Sequence, residues 1–367
     1  MKYFEGFFVI LSHLPLILMK HLGLLSVLFF HFLIVSAQTS TTAYAFTRIP
    51  GSVITSALGG SQASDFRGDI AQRMDNPAFS DSTVHQAVSL AYLNYLSSIG
   101  QATLSYGHRL DSAGYISGYL RYFDYGTFQE TDEFGNELGQ FKVVDYEVGA
   151  TCSRALTSQI TYGVTLKQVF SNMYQYFGYG IAADLGMHYR SNSGNFAAGA
   201  VVRNLGSEVV DYTNGQRDAF PWSVDLALSK RFAQAPLMFG VQYNNLLRWD
   251  LAAVDQDAIN NTVVDELTGE EERRILTLDN FARHLNASVS FIPSDRFNLM
   301  LAYNFKRRLE LSTAERPALV GFSFGANVKL KRFGIQYAVT SYHLSGASNH
   351  FGITTNLNEW YARRKMQ

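Results

Sequence analysis

Six histidines recur along the body of the chain, at His85, His108, His188, His284, His343 and His350. Imidazole is the side chain whose own proton equilibrium lies nearest neutrality, so these are the first residues to weigh for acid–base work or metal ligation. Nucleophilic catalysis also needs a nucleophile and an orienting group that converge with the base. Spacings that announce such convergence are scarce: S-x-x-K, K-T-G, H-E-x-x-H and the phosphate-cradling Walker A motif are absent, and G-x-S-x-G occurs only as Gly321-Phe322-Ser323-Phe324-Gly325, inside a run of strand alternation where no nucleophile elbow is expected. Cys152 is the single cysteine, so neither a zinc-binding cysteine pair nor an intrachain disulfide is available. Each histidine therefore reads as a wall or loop residue. His343 and His350, which flank one loop, are the hardest pair to set aside, and spacing alone leaves open a Ser–His pair on an outer wall facing lipid. The expectation is a protein that is not an enzyme and that holds no cofactor and no metal.

The elements that would carry these residues are strands. From Ala318 to Leu330, Ala318, Val320, Phe322, Phe324, Ala326, Val328 and Leu330 alternate with Leu319, Gly321, Ser323, Gly325, Asn327 and Lys329. After a basic turn at Lys331-Arg332, Phe333, Ile335, Tyr337 and Val339 resume the apolar face. That is period two, in runs of about ten residues, the length a tilted strand needs to cross a bilayer. The pattern recurs near residues 86–95, 100–110, 114–125, 142–154, 158–170, 177–190, 195–205, 221–231, 236–247, 283–292, 296–306, 318–330, 332–341 and 348–358. Fourteen antiparallel strands close without leaving an open edge in lipid. The predicted fold is all-β, a 14-stranded transmembrane β-barrel over 83–367. The mean hydropathy of only −0.04, beside 14% aromatic residues, fits lipid-facing and lumen-facing residues cancelling in the average.

Connection lengths alternate as a barrel's should. Turns after even strands are short, such as Leu110 to Ala113, Ala155 to Thr157, Ser191 to Gly194 and Phe232 to Ala235. Those after odd strands are mostly long: Gly126 to Phe141, Gly206 to Phe220, Arg248 to Ala282, Arg307 to Pro317 and Tyr342 to Ala347. Outer-membrane barrels keep short turns in the periplasm and long loops outside, which places both termini in the periplasm and the long loops outside the cell. The charge run Asp265 to Arg274 reads as a solvated loop or a docking surface. At the front, Met19-Lys20-His21 followed by the apolar run Leu22 to Val35 and Ser36-Ala37 has the form of a secretory signal. Residues 1–37 are thus expected to be an upstream extension plus signal peptide, with translation starting at Met19 and cleavage after Ala37. Removing them takes Lys2, Lys20 and Glu5, leaving a mildly acidic chain with nothing to attract nucleic acid. Residues 38–82 differ from the strands: Gly59-Gly60 and Asn76-Pro77 are turn and close-packing signals among scattered apolar residues. They are expected to form an N-terminal plug in or under the barrel.

The run Tyr342 to Leu357, containing Ser345-Gly346-Ala347-Ser348-Asn349-His350-Phe351, resembles the C-terminal signature of the PorQ family, outer-membrane components of the type IX secretion system of Bacteroidetes. Similar matches are Ala57 to Gly60, Asp75 to Ala78, Tyr122 to Gly126, Val202 to Gly206, Asn244 to Asp250 and Tyr303 to Arg308, so the resemblance covers essentially the whole mature chain. The plug motifs are shared with PorV-like barrels. The resemblance implies a FadL-like barrel of fourteen strands with an N-terminal plug, set among outer-membrane lipid and lipopolysaccharide. It also implies a non-enzymatic role anchoring a PorZ-like surface protein beside PorU-like and PorV-like members of an attachment complex. The signature residues are expected to be structural or partner-facing. The chain departs from the pattern at its end, where Trp360-Tyr361 is followed by six further residues instead of stopping on an aromatic. The alternative is a FadL-like channel for hydrophobic solutes. A channel predicts apolar residues lining a path past the plug. An anchor predicts a filled lumen and exposed aromatics on the outer loops, such as Phe128, Phe134, Tyr212 and Phe220.

Overall fold

A computed structural model of the protein describes residues 42–110, 114–212, 217–249, 251, 263–264, 271–272, 277–311, 319–343 and 346–361. The expected leader with Met19 and Ala37, the turn at 111–113, the charge run in the longest loop apart from Glu271 and Glu272, Ser345 and the tail after Tyr361 lie outside the described residues.

Fourteen strands form the wall: β1 (Ala87–Leu96), β2 (Ile99–Leu110), β3 (Gly114–Thr131), β4 (Glu137–Ala155), β5 (Ile160–Met173), β6 (Tyr176–Arg190), β7 (Phe196–Val210), β8 (Ser223–Arg231), β9 (Leu237–Tyr243), β10 (Leu285–Ser294), β11 (Phe297–Asn304), β12 (Phe322–Lys329), β13 (Phe333–His343) and β14 (Gly346–Asn356). Each pairs antiparallel with the next, and β1 pairs with β14, so the sheet closes on itself. Through the body of the wall, closure gives each strand a partner on both sides, the condition for a β structure to sit in hydrocarbon.

Alternation decides the two faces. In β5, Tyr162, Val164 and Leu166 point outward and are exposed, while Thr165, Lys167 and Ser171 are buried inside. In β8, Leu226 and Leu228 face out and Asp225, Ala227 and Ser229 face in. The same holds for Leu90 and Tyr92 in β1 and for Phe351 and Ile353 in β14. An outer surface of exposed Leu, Ile, Val and aromatic side chains around a polar interior is that of a membrane-spanning barrel. Among the described residues no helix is long and apolar enough to cross a membrane, so the crossing is made by strands.

Three expectations need correction. Residues 126–141 are not a loop: after a bulge at Asp124–Thr127, where Gly126 has φ +93°, β3 and β4 continue to pair out to Thr131 and Glu137. Residues 319–321 do not belong to a strand; β12 starts at Phe322, and Val320 is buried instead of lipid-facing. The cause is Gly321, whose φ of +90° turns the chain against Arg308 and the Asn304 carbonyl. The segment 307–317 begins in a short helix, α3 (Phe305–Leu311), after a still shorter α1 (Val53–Ala57) and an equally short α2 (Thr277–Arg283), and before α4 (Asn358–Tyr361). Asn304 starts α3 by accepting the Arg307 N–H at 3.0 Å, and Lys306 and Glu310 pair across one turn at 3.7 Å.

Candidate functional site

What occupies the barrel decides what passes through it. Residues 42–79 lie against the inward side chains of strands all round the wall. Gln101 of β2 donates to the Pro50 carbonyl (3.0 Å), Arg121 of β3 to that of Ile49 (3.1 Å) and Thr161 of β5 to that of Ala78 (2.8 Å). Opposite them, Gln242 of β9 accepts from the Ala63 amide (2.8 Å), Asn286 of β10 donates to the Leu58 carbonyl (2.9 Å) and Thr340 of β13 to that of Ser56 (3.1 Å). Nearly every side chain from Ser52 to Ala78 that touches the wall is buried. Segment carbonyls without helix or strand partners are satisfied by wall amides and hydroxyls, which is one reason the interior of the wall is polar.

The motif residues prove to be the points of closest approach. Gly59 and Gly60 both have positive φ, +93° and +95°. Any side chain at Gly60 would collide with the Arg307 guanidinium, and one at Gly59 with Asn286. Asn76 folds its own turn by accepting from the Ala78 amide (3.0 Å) and donates to the Ala63 carbonyl (2.7 Å) and to the Met187 carbonyl of β6 (3.2 Å). Pro77 follows it, its carbonyl seated on Gly163 of β5, where a Cβ would overlap it. Sequence reading marked these residues by their turn chemistry; their wall partners are separated from them by up to 247 positions and left no local signal.

Part of the buried charge in the lumen is paired. Arg203 forks onto Asp225 and lies 3.8 Å from Asp75 of the segment. Lys167 meets Asp184 at 2.7 Å, and Asp184 also accepts the Asn204 amide at 2.6 Å, where β7 bulges and Asn204 takes φ +58°. Burial pushes the Asp75 carboxyl up to about 7, against the pull of Arg203 and the Thr55 hydroxyl. Asp69 is pushed up in the same way, opposed by Ser52 and the Ala71 amide.

The C-terminal signature lies in the wall. Gly346 and Ala347 begin β14 at the exposed rim; Ser348 donates inward to the Tyr95 carbonyl; Asn349 accepts from the Tyr337 hydroxyl at 2.7 Å. His350 points into the lumen, 2.7 Å from the Ser56 hydroxyl, and Phe351 faces outward against Tyr337. The other histidines are spread over the molecule. His188 faces the Ser64 carbonyl at 3.0 Å, His284 is stacked on Tyr243 and faces the Asn244 and Trp249 carbonyls, and His85 packs on His108 near the other rim. Among the described residues no three His, Cys, Asp or Glu side chains converge as metal ligands would. Of the four loop aromatics, Phe128 and Phe134 are exposed, but Phe220 is buried on Tyr44 (ring centroids 4.4 Å apart) and Tyr212 turns inward to the Ser171 hydroxyl. The β7–β8 connection folds into the barrel mouth because Glu208 gathers the Tyr44 hydroxyl (2.7 Å) and the Asp218 amide (2.7 Å).

The two larger polar-lined chambers lie one toward each rim and share no lining residue; a smaller one of about 260 Å³ adjoins the chamber at the short-turn end through Arg67, Gly68 and Thr83. The one at the long-connection end, about 550 Å³, has an aromatic and aliphatic wall of Phe46, Ile49, Tyr95, Phe123, Tyr125 and Tyr342 facing Arg48, Arg283, Lys306 and Arg307. Arg307 lies over the Tyr342 ring at 4.3 Å. Burial pulls Lys306 below the usual ammonium range, with Arg48 and Arg248 adding to it and Glu310 opposing. The chamber at the short-turn end, about 450 Å³, is lined by Asp65, Arg67, His188, Arg190 and Arg231 among others. Between the two lies the packed segment. Sequence reading did not find either chamber, since each is assembled from six or more separate stretches.

No family model matches the chain, and no curated protein matches it. Among solved structures, it is similar to the toluene transporter TodX of Pseudomonas putida, with a TM-score of 0.49 and 13% identity over 84% of this chain and 99% of that one. It is also similar to the monoaromatic hydrocarbon channel CymD (TM-score 0.46, 11% identity, 85% and 97% covered) and to the KdgM porin (0.33, 7%, 73% and 98%). The closed fourteen-stranded barrel itself rests on the strand pairing described above.

Proposed function

We propose that this protein is a non-enzymatic scaffold of the cell outer membrane, a barrel closed by its own N-terminal plug that holds a surface partner on its long loops. One observation carries the reading: residues 42–79 are hydrogen-bonded to strands on all sides of the lumen, and the chambers above and below them share no lining residue. A wall whose inward polar groups are spent on holding a plug offers no apolar path for a solute. The sorting of short and long connections supports termini in the periplasm and loops outside. The resemblance of the Ser345 to Phe351 stretch and of the plug motifs supports the finer assignment: a type IX secretion component that anchors a PorZ-like protein beside PorU-like and PorV-like members of an attachment complex, in contact with lipopolysaccharide.

The second reading, a channel for hydrophobic solutes, is favoured by the loop-side chamber, whose aromatic wall and volume suit a small apolar ligand. One experiment separates the two. The tagged barrel is isolated from detergent-solubilised outer membranes, and a strain lacking it is assayed for release of surface proteins and for toluene uptake. Co-isolation of a large surface protein that leaves the cell when the barrel is deleted supports the scaffold. A barrel isolated alone, with uptake lost in the deletion strain, overturns the scaffold in favour of the channel.

A further inference from the structure

We infer that the β3–β4 hairpin beyond the barrel rim is the docking arm for the surface partner, taking along its free edge an extended polypeptide segment rich in apolar and basic side chains. The inference rests on the scaffold reading and names its contact surface.

Three observations carry it. First, β2 accompanies β3 only as far as the Gly100–Asp124 pair, and β5 accompanies β4 only from Val143–Met173 onward. Between Thr127 and Lys142 the two strands pair with each other alone, through Thr127–Lys142, Phe128–Phe141, Gln129–Gln140, Glu130–Gly139 and Thr131–Glu137. Both outer edges are therefore open over about 15 Å, the kind of edge that pairs with another chain unless it is covered. Second, the tip is preorganised: Asp132 accepts from the Phe134 amide (2.9 Å) and from the backbone and side chain of Asn136 (2.7 Å each). Third, the ribbon combines apolar surface with unbalanced negative charge. Phe134 is 89% exposed and Leu138 63%, and Phe128 stacks on Phe141, which meets Tyr174. Glu130, Asp132, Glu133 and Glu137 stand against the single cation Lys142, and none of the four carboxylates has a cation within ion-pair distance among the described residues.

That charge selects the occupant. Anionic lipid headgroups, nucleic acid and the same hairpin of a second copy are all repelled by it. A strand carrying lysine or arginine beside apolar residues gains both the edge hydrogen bonds and charge complementarity.

The test uses the full chain in cells, with a photo-crosslinking amino acid at Leu138 and, as a lipid-facing control, at Leu166. The expected result is one discrete protein adduct from Leu138 only. Its yield falls about tenfold in the Glu133→Lys/Glu137→Lys variant, as loss of charge pairs across an interface would do, and recovers when the facing basic residues of the captured protein are changed to glutamate. Unboiled electrophoretic mobility confirms that the variant barrel is folded. An adduct with lipid or a second copy, no adduct, or a yield indifferent to charge reversal overturns the docking arm. The scaffold is judged separately: if deleting the barrel releases a surface protein while the hairpin variant retains it, the scaffold stands and the arm falls. If the surface protein stays on cells without the barrel, the scaffold falls, whereas a charge-dependent adduct still upholds the hairpin as a protein-binding surface.

Discussion

At the scale of single residues, residues 42–79 meet the wall closely at glycines whose backbone favours no side chain. Gly60 combines φ +95° with the Arg307 guanidinium where a Cβ would stand. Gly60→Ala is expected to destabilise the protein by about 1–3 kcal/mol, the usual cost of a strained backbone, read as a lower unfolding temperature in detergent. Gly346→Ala is the internal control: it meets nothing within 4 Å and has no positive φ, so no comparable loss is expected. Asp75 sets a pH dependence. Its carboxyl titrates at about 7 in the folded protein and at about 4 in an unfolded chain. A raised acid favours folding in its protonated form, so its contribution is complete below about pH 4 and is lost as pH rises through about 7. Thermal melts from pH 4 to 8 are expected to show the melting temperature of the wild type falling relative to that of Asp75→Asn as pH rises, because the variant lacks this titration.

At the scale of elements, strands were legible and their company was not. Period-two alternation placed all fourteen wall strands near where they lie because lipid on one side and plug on the other impose opposite polarity on neighbouring residues. It failed at the β3–β4 extension, since past Asp124 neither lipid nor plug is present and both faces of the ribbon are polar or mixed. It overran at Val320, where the alternation continues through a turn that only Gly321 betrays. Helix α3 escaped notice because seven residues seen beside a strand carry little periodicity. The buried pair Lys167–Asp184 ties β5 to β6. Lys167→Met strands the Asp184 carboxylate and is expected to cost about 3–5 kcal/mol, measured as a lower midpoint of urea unfolding in lipid vesicles. A Lys167→Arg variant that restored the midpoint would confirm that charge compensation is what was lost.

At the scale of the whole molecule, residues 42–79 pack against the wall on all sides of the lumen, and the plug proposed above makes the barrel a closed body. Reconstituted into planar bilayers, the intact protein is expected to give no steady ohmic conductance. Deleting residues 42–79 leaves a lumen lined by Gln101, Thr103, Lys167, Asp184 and Gln242, all polar, which should fill with water and conduct. Conductance by the intact protein comparable to that of the deletion variant would show that the segment does not block the lumen. After β14, Trp360 docks on Phe333 and Arg332, with its indole N–H on Thr355.

The sequence by itself determined the strand period, the strand number, the two faces of the wall and the turn chemistry of the plug motifs, because each depends on residues near one another in the chain. Only the tertiary structure decided which side chains meet across the lumen: Arg307 on Gly60, Asn286 on Leu58, Gln242 on Ala63, Arg203 between Asp75 and Asp225. Those contacts depend on closure of the sheet, which brings residues up to hundreds of positions apart onto one axis. Closure also separates the inner Tyr212 and Phe220 from the outer Phe128 and Phe134, loop aromatics that look alike in sequence but differ in whether Glu208 draws their loop into the mouth or a paired ribbon carries it out.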